Sequence, residues 1–243
     1  IPIRLKSGSD RPLDRHRVEG VHVRVYHHHV LERSMPAKGR FDGPNRIGVD
    51  TPEGPVSIEF EHAIIACGSS PVQIPGFPNQ DPRLIDSTGA LKLTDIPKRM
   101  LVIGGGIIGL EMATVYATLG SRIDIVELQD GLIPGCDRDL VRPLEKRLKK
   151  TVNRIGLGAK VTEIKAQKQG LKVFFEGKGV PDSEVYDRVL VAVGRRPNGK
   201  SINAEAAGVQ VDERGFIPTD AKMCTNVPHI YAIGDVVGNP MLA

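Results

Sequence analysis

Met100-Leu101-Val102-Ile103-Gly104-Gly105-Gly106-Ile107-Ile108-Gly109 decides how this chain is read. An apolar run of strand length ends in a glycine-rich turn, and the residues from Ile107 to Leu119 carry on as a helix. Arg122 to Glu127 then reads as a second strand that closes on an acid. A lone GxGxxG is a weak signal, but strand, turn, helix and acid-terminated strand in this order make a dinucleotide-binding βαβ unit. Each glycine has its own reason to be there. Gly104 permits the tight turn, Gly106 leaves room for a pyrophosphate, and Gly109 lets helix and strand approach closely. The helix start offers unpaired N–H groups and partial positive charge to phosphates. Glu127 follows Gly109 by 18 residues (127 − 109), where a carboxylate accepts hydrogen bonds from a ribose 2′-hydroxyl and repels a 2′-phosphate. Leu128, Gln129 and Asp130 bring no arginine to receive such a phosphate, so NAD is predicted rather than NADP.

Gly120 ends the helix and Ser121 opens the second strand. Glu111, assigned to the first helical turn, has two readings. It is either an acid favourably placed near the positive helix end, or a contact for the nicotinamide half of the cofactor.

Further from the turn, the pattern alternates strands with helices. Asp137 to Lys150 reads as a helix with apolar positions at Leu140, Val141, Leu144 and Leu148, and Pro143 is tolerated in its first turns. Lys160 to Ile164, Leu171 to Glu176 and Arg188 to Val193 read as strands. The alternation predicts an α/β fold, a parallel sheet with covering helices. Upstream, Val21 to Tyr26, Arg46 to Asp50 and Val56 to Phe60 suggest a small antiparallel meander interrupted by Gly/Pro-rich connections. His62 to Cys67 is a further apolar strand. Pro71 to Asp86, with four prolines, reads as a connector between domains.

With 243 residues, 40% hydrophobic and 26% charged, the chain is long enough for one large or two modest domains of an ordinary globular kind. No apolar stretch approaches transmembrane length, and the N-terminal residues lack a signal-peptide core. The chain opens on Ile1, so it is expected to begin mid-protein or to have been trimmed. Cys67, Cys136 and Cys224 are too scattered for a disulfide framework or a zinc pattern, which suggests a reducing cytoplasm. Ten Lys/Arg against six Asp/Glu in the first 50 residues account for the net charge of +4. No aromatics interleave with them in a stacking pattern, so no nucleic-acid footprint is expected. In His27-His28-His29, neighbouring side chains of a strand point to opposite faces, and no metal site is expected.

Three ordered stretches carry a resemblance. Leu101 to Met112, Val189 to Asn198 and Thr225 to Asp235 resemble the flavoprotein disulfide reductases. The likeness is greatest to the bacterial dihydrolipoamide dehydrogenase family, through Asp86 to Leu91, Gly215 to Ile217 and Gly238 to Ala243, and it runs from about Gly39 to the last residue. The resemblance implies an NAD-binding Rossmann-like domain, 72–197, inserted in an incomplete FAD-binding domain formed by 1–71 and 198–243. It implies that NAD contacts Gly104, Gly105, Gly106, Ile107, Ile108, Gly109, Glu127, Val161 and the turn Ala192, Val193, Gly194, Arg195. For FAD it implies Gly39 in a turn near the adenine, Asp235 on the ribityl chain and Ala243 near the flavin. It further implies a homodimer that serves the lipoyl-bearing acyltransferase of 2-oxo acid dehydrogenase complexes.

The sequence departs from the family in definite ways. It holds no second glycine-rich βαβ unit and no paired redox cysteines. The histidine–glutamate pair of the dithiol chemistry belongs to a C-terminal domain of the family. An interior fragment of a longer enzyme is the simplest account, with no catalytic pair of its own. Two other readings stay open. One is a different two-dinucleotide flavoprotein, such as an NADH oxidase, peroxidase or ferredoxin-type reductase. The other is a non-catalytic nucleotide-binding module.

Overall fold

The computed structural model describes residues 23–27, 30–35 and 37–238. The chain divides into a split unit, 1–70 with 196–243, and a continuous unit, Pro71–Arg195. His28, His29 and Ala243 lie outside the described residues.

The split unit begins with β1 (Val23–His27) and β2 (Val30–Met35), paired antiparallel. β3 (Lys38–Gly43), β4 (Arg46–Thr51) and β5 (Gly54–Glu59) form an antiparallel meander. The Gly/Pro-rich connection expected ahead of Arg46 is therefore largely strand. β3 pairs with β4 across Pro44 and Asn45, with Phe41 buried. This corrects the reading of Gly39: it sits mid-strand opposite Val49, not in a turn. β6 (Ala63–Ile65) and β7 (Ser69–Pro71) lead to the continuous unit.

That unit is built on five strands in the order Arg154–Leu157, Arg122–Glu127, Arg99–Ile103, Arg188–Val191 and Leu84–Ile85, all parallel. β8 (Leu84–Ile85) lies at one edge, so the proline-rich stretch is not merely a connector. α1 (Ser87–Leu91) follows, capped by Asp86, whose carboxylate accepts the Gly89 N–H at 2.9 Å. Next come β9 (Arg99–Ile103), α2 (Ile107–Thr118), β10 (Arg122–Glu127), α3 (Arg138–Thr151) and β11 (Arg154–Leu157). β12 (Lys160–Gln167), β13 (Gly170–Glu176) and β14 (Ser183–Tyr186) form a separate antiparallel sheet. β15 (Arg188–Val191) then completes the parallel sheet, and β16 (Arg195–Pro197) pairs with β7 where the chain crosses back.

The two faces of β9 explain the layering. Met100 and Val102 pack with residues of α1, α2 and α3, while Leu101 and Ile103 pack with β12, β13 and Tyr186. Helices thus cover one face, as the alternation of strands and helices predicted, and the antiparallel sheet covers the other. The physical cause is the short β12–β13 connection: two residues can only reverse a strand, and a parallel crossover needs a dozen or more. Leu140 on α3 is exposed, whereas Val141 and Leu148 are buried, so the apolar stripe is narrower than its spacing suggested. A buried polar group ties the layers together. Asp124 accepts from the Tyr186 hydroxyl at 2.8 Å and from Asn153 Nδ2 at 2.5 Å, with Arg154 at 3.8 Å. Glu184 joins Arg154 at 3.1 Å to Arg99, whose guanidinium lies over the Tyr186 ring. Burial, and then the Asp124 carboxylate, push the Tyr186 phenol upward.

The split unit resumes with turns of 3-10 helix at Gly199–Ser201 and Ala204–Ala207, then β17 (Ile230–Ala232), parallel to β6. Phe41, Ile65, Ile217, Ile230 and Val236 are among its core side chains. Among the described residues, no helix is long and apolar enough to cross a membrane, and no group of three His, Cys, Asp or Glu could hold a metal ion.

Candidate functional site

The glycine turn joins β9 to α2 at the carboxyl ends of the parallel strands, where open α/β sheets bind ligands. Gly104 has φ +109, and a Cβ there would overlap the carbonyl of Ala192, so the turn needs glycine twice over. A Cβ on Gly109 would strike the Gly104 carbonyl and meet Val102 at 3.2 Å, which fits the close helix–strand approach read from the sequence. A Cβ on Gly106 would meet nothing within 4 Å. Gly106 is also the N-cap of α2 and has no side chain to cap it. The first bond of the helix runs from the Leu110 N–H to the Gly106 carbonyl at 3.0 Å. The N–H groups of Ile107, Ile108 and Gly109 therefore stand outside the helix ladder beside open space. Unpaired N–H groups at a helix start, with no side chain at Gly106 to block them, are the chemistry that suits an anion such as a pyrophosphate.

Glu127 is 8% exposed, and both its oxygens are engaged. Oε2 accepts the Gly105 N–H at 2.6 Å, and Oε1 accepts the Gln129 N–H at 2.8 Å. A Cβ on Gly105 would lie 3.1 Å from Cβ of Glu127 and 2.6 Å from Leu132 Cδ2. The acid at the end of β10 is thus part of the turn itself, a role the sequence did not disclose. It keeps acceptor capacity, since a carboxylate has about four lone-pair sites. Two further elements hold the turn. Ile133 donates its N–H to the Gly105 carbonyl at 2.9 Å, and Gly104 donates to the Val126 carbonyl at 2.8 Å. Arg138 fixes the loop carrying Ile133 by donating to the carbonyls of Leu132 and Ile133 at 2.9 and 2.8 Å.

The other residues that the resemblance assigns to the nucleotide fall as follows. Ala192 donates its N–H to the Ile103 carbonyl at 2.8 Å, which brings the turn after β15 beside the glycine turn. Val193 and Gly194 are exposed there, and Gly194 has φ +128. Arg195 opens β16, with Nη1 3.5 Å from Ser87 Oγ. Ile107 is exposed and Ile108 half-buried at the helix start. Val161 is buried against the sheet, so its side chain is a packing group. Glu111 is exposed and sits in the second turn of α2, because the helix begins at Ile107. Its placement in the first turn is corrected, and the dipole argument weakens with it, since that effect is confined to the terminal turn.

In the split unit, Gly234 has φ +77 and opens a 3-10 turn, Gly234–Val237, that presents the half-buried Asp235. Asp235 Oδ2 accepts the Ser69 hydroxyl at 2.5 Å. A glycine allowing close approach, followed by an oriented carboxylate, is an acceptor site suited to ligand hydroxyls. Gly39 lies away from any turn, as described above. Cys67 is half-buried, and burial pushes its thiol up to about 11. Cys136 and Cys224 are also free, and no two of the three form a disulfide.

The model of the pyridine nucleotide-disulphide oxidoreductase family matches residues 11–243. The chain belongs to that family. Among its curated members, dihydrolipoyl dehydrogenase of Vibrio cholerae is 55% identical over 84% of this chain and 43% of its own length. That of Haemophilus influenzae is 52% identical over 83% and 42%, and that of Bacillus subtilis 42% identical over 76% and 39%. The chain therefore spans about two fifths of the length of these relatives. Among solved members, the HOCl-induced flavoprotein disulfide reductase RclA of Escherichia coli superimposes with a TM-score of 0.76 at 30% identity. It covers 85% of this chain and 46% of that one. An engineered water-forming NADPH oxidase bound to NADPH, at 21% identity and a TM-score of 0.72, shares the fold.

Proposed function

We propose that this chain is the nucleotide-binding portion of a dihydrolipoyl dehydrogenase, carrying its NAD site and part of its FAD site. The whole protein would oxidise dihydrolipoamide and reduce NAD, serving the lipoyl-bearing acyltransferase of a 2-oxo acid dehydrogenase complex, as a cytoplasmic homodimer. The observation that carries this reading is the glycine turn stitched to the Glu127 carboxylate, in a chain 55% identical to a dihydrolipoyl dehydrogenase.

In this reading, hydride exchange is the chemistry that the bound nicotinamide and flavin supply. The chain's own residues bind and orient. The N–H groups of Ile107, Ile108 and Gly109 hold the pyrophosphate over Gly106. Glu127 accepts from the adenosine ribose and leaves a 2′-phosphate facing a buried negative charge, which favours NAD. Asp235 receives hydroxyls of the flavin's ribityl chain. Ala192 to Arg195 borders the nicotinamide half. Glu111, exposed on α2, is assigned to that half as a contact. Val161 contributes through its packing, and Gly39 through the strand next to Phe41. Ala243 is assigned to the flavin by resemblance alone.

The test is made on the whole protein. A yellow flavin spectrum, lipoamide-dependent reduction of NAD and weak use of NADP are expected. A colourless protein that binds NADH without turnover would replace this reading with that of a nucleotide-binding module.

A further inference from the structure

Ser69 and Asp235 stand 166 residues apart, yet the hydroxyl of one donates to the carboxylate of the other at 2.5 Å. Both belong to the split unit. Ser69 is the first residue of β7, held in place by its surroundings rather than by its own hydroxyl. The Asn198 N–H donates to the Gly68 carbonyl at 3.0 Å, and Asn198 Nδ2 donates to the Cys67 carbonyl at 2.9 Å. The Ser70 hydroxyl meets Asn198 Oδ1 at 2.9 Å. Asn198 thus holds the two main-chain carbonyls ahead of Ser69 and the side chain of Ser70 after it, and so fixes the point from which the hydroxyl is aimed. Asp235 follows Gly234 at φ +77 in a short 3-10 turn, and the Ser69 hydroxyl is among the groups that hold its carboxylate.

We propose that Ser69 is a positioning residue that orients the Asp235 carboxylate for the hydroxyls of the flavin's polyol chain. The proposal rests on the flavin reading given above. A hydroxyl donating to an ionised oxygen is a short, charge-assisted bond, and it selects one side-chain rotamer. With one oxygen anchored, the remaining lone pairs of the carboxylate are presented in a fixed direction, so ligand binding need not order the group.

The experiment is a double-mutant cycle in the whole protein, read as FAD affinity by reconstitution of the flavin-free form. NADH affinity is measured alongside as a check on the fold. Asp235→Ala is expected to weaken FAD binding strongly, and Ser69→Ala to weaken it about tenfold, the lower end for a lost hydrogen bond to a charged group. In the Asp235→Ala background, Ser69→Ala should have no further effect. Ser69→Thr keeps the hydroxyl, suits a strand, and should restore affinity to within about threefold. Equal losses from Ser69→Ala with and without Asp235 would overturn the proposal, because the serine would then act independently. So would a failed rescue by threonine with NADH binding intact. An Asp235→Ala variant with unchanged FAD affinity would remove the flavin reading itself. An effect of Asp235→Ala with none from Ser69→Ala would remove only the role of Ser69.

Discussion

Glu127 Oε2 accepts the main-chain N–H of Gly105 at 2.6 Å, so the acid proposed to read the ribose also holds the turn proposed to read the phosphates. Replacing it therefore touches fold and binding together. Glu127→Ala should lower unfolding stability by about 1.5–3 kcal/mol, since a buried N–H loses a charged acceptor. NADH affinity should fall roughly 10- to 150-fold, with loss of discrimination against NADPH. Urea unfolding and paired NADH and NADPH titrations measure the two effects. Equal affinity of the unmutated protein for both nucleotides would contradict the role given to the acid.

Gly106 and Gly109 separate binding from folding. Gly106→Val places its side chain in open space and should leave the fold intact while abolishing NADH binding. Gly109→Ala drives a methyl into the Gly104 carbonyl and should cost about 1–3 kcal/mol of stability. Thermal unfolding with NADH titration distinguishes them. Normal NADH binding by Gly106→Val would show that the space over this residue is not the pyrophosphate site.

These two glycines also show how much was legible beforehand. The strand, turn, helix and acid lie within 28 residues (100 to 127), and local spacing alone reveals them. The bond from Glu127 to Gly105, the Ile133 N–H over the turn, and the pairing of Ser69 with Asp235 depend on chain folding between distant residues. No local pattern encodes them. β3 escaped because Phe41 is the one large apolar residue in Lys38–Gly43, too little alternation to mark a strand. β14 escaped because its four residues offer only Val185 and Tyr186. Leu140 misled because one apolar residue fits the helical spacing equally well at the rim of the stripe.

Asp124 lies at the meeting point of two layers, so its loss should be felt in stability and not in nucleotide binding. Asp124→Ala leaves the Tyr186 hydroxyl and Asn153 amide without their acceptor and should cost about 3 kcal/mol. Denaturant unfolding reports the loss, and NADH affinity at a temperature where the variant is folded should be unchanged. A stability change under 1 kcal/mol would mean that water replaces the carboxylate fully.

Cys67 gives a pH signature. Its thiol is raised from an ordinary 9.0 to about 11 by burial, so the folded state favours the neutral form. The contribution is fully present below pH 9 and is lost as pH rises toward 11. Iodoacetamide should alkylate Cys67 slowly in the folded protein at pH 8, and at an ordinary thiol rate after denaturation. Peptide mass mapping over time follows this one site. Rapid labelling in the folded protein would refute the burial argument.

The 243-residue chain taken by itself should bind NADH, bind FAD weakly, and turn over no lipoamide. Its nucleotide turn lies wholly within the continuous unit, whereas its sequence holds no second glycine-rich unit and no cysteine pair. Calorimetry with each cofactor and a lipoamide assay test this. Turnover would show that electrons reach lipoamide by a route other than paired cysteines.

The parallel pairing of β6 with β17 joins parts of the chain that are made at very different times on the ribosome. Bringing such distant ends together from an open chain carries a loop-closure penalty of roughly 4–5 kcal/mol for a span of this size. The continuous unit lifts most of it, because the Val72 N–H bonds to the Gly194 carbonyl at 3.1 Å and draws its two ends side by side. Folding is thus ordered from the middle outward: β6 waits unpaired until the centre has closed, and only then does the returning β17 find it. Pulse-labelled hydrogen exchange should show amides of β9 and β10 protected before those of β6. Any lesion that slows the centre leaves β6 and the exposed Ile64 without a partner, and so open to aggregation during synthesis.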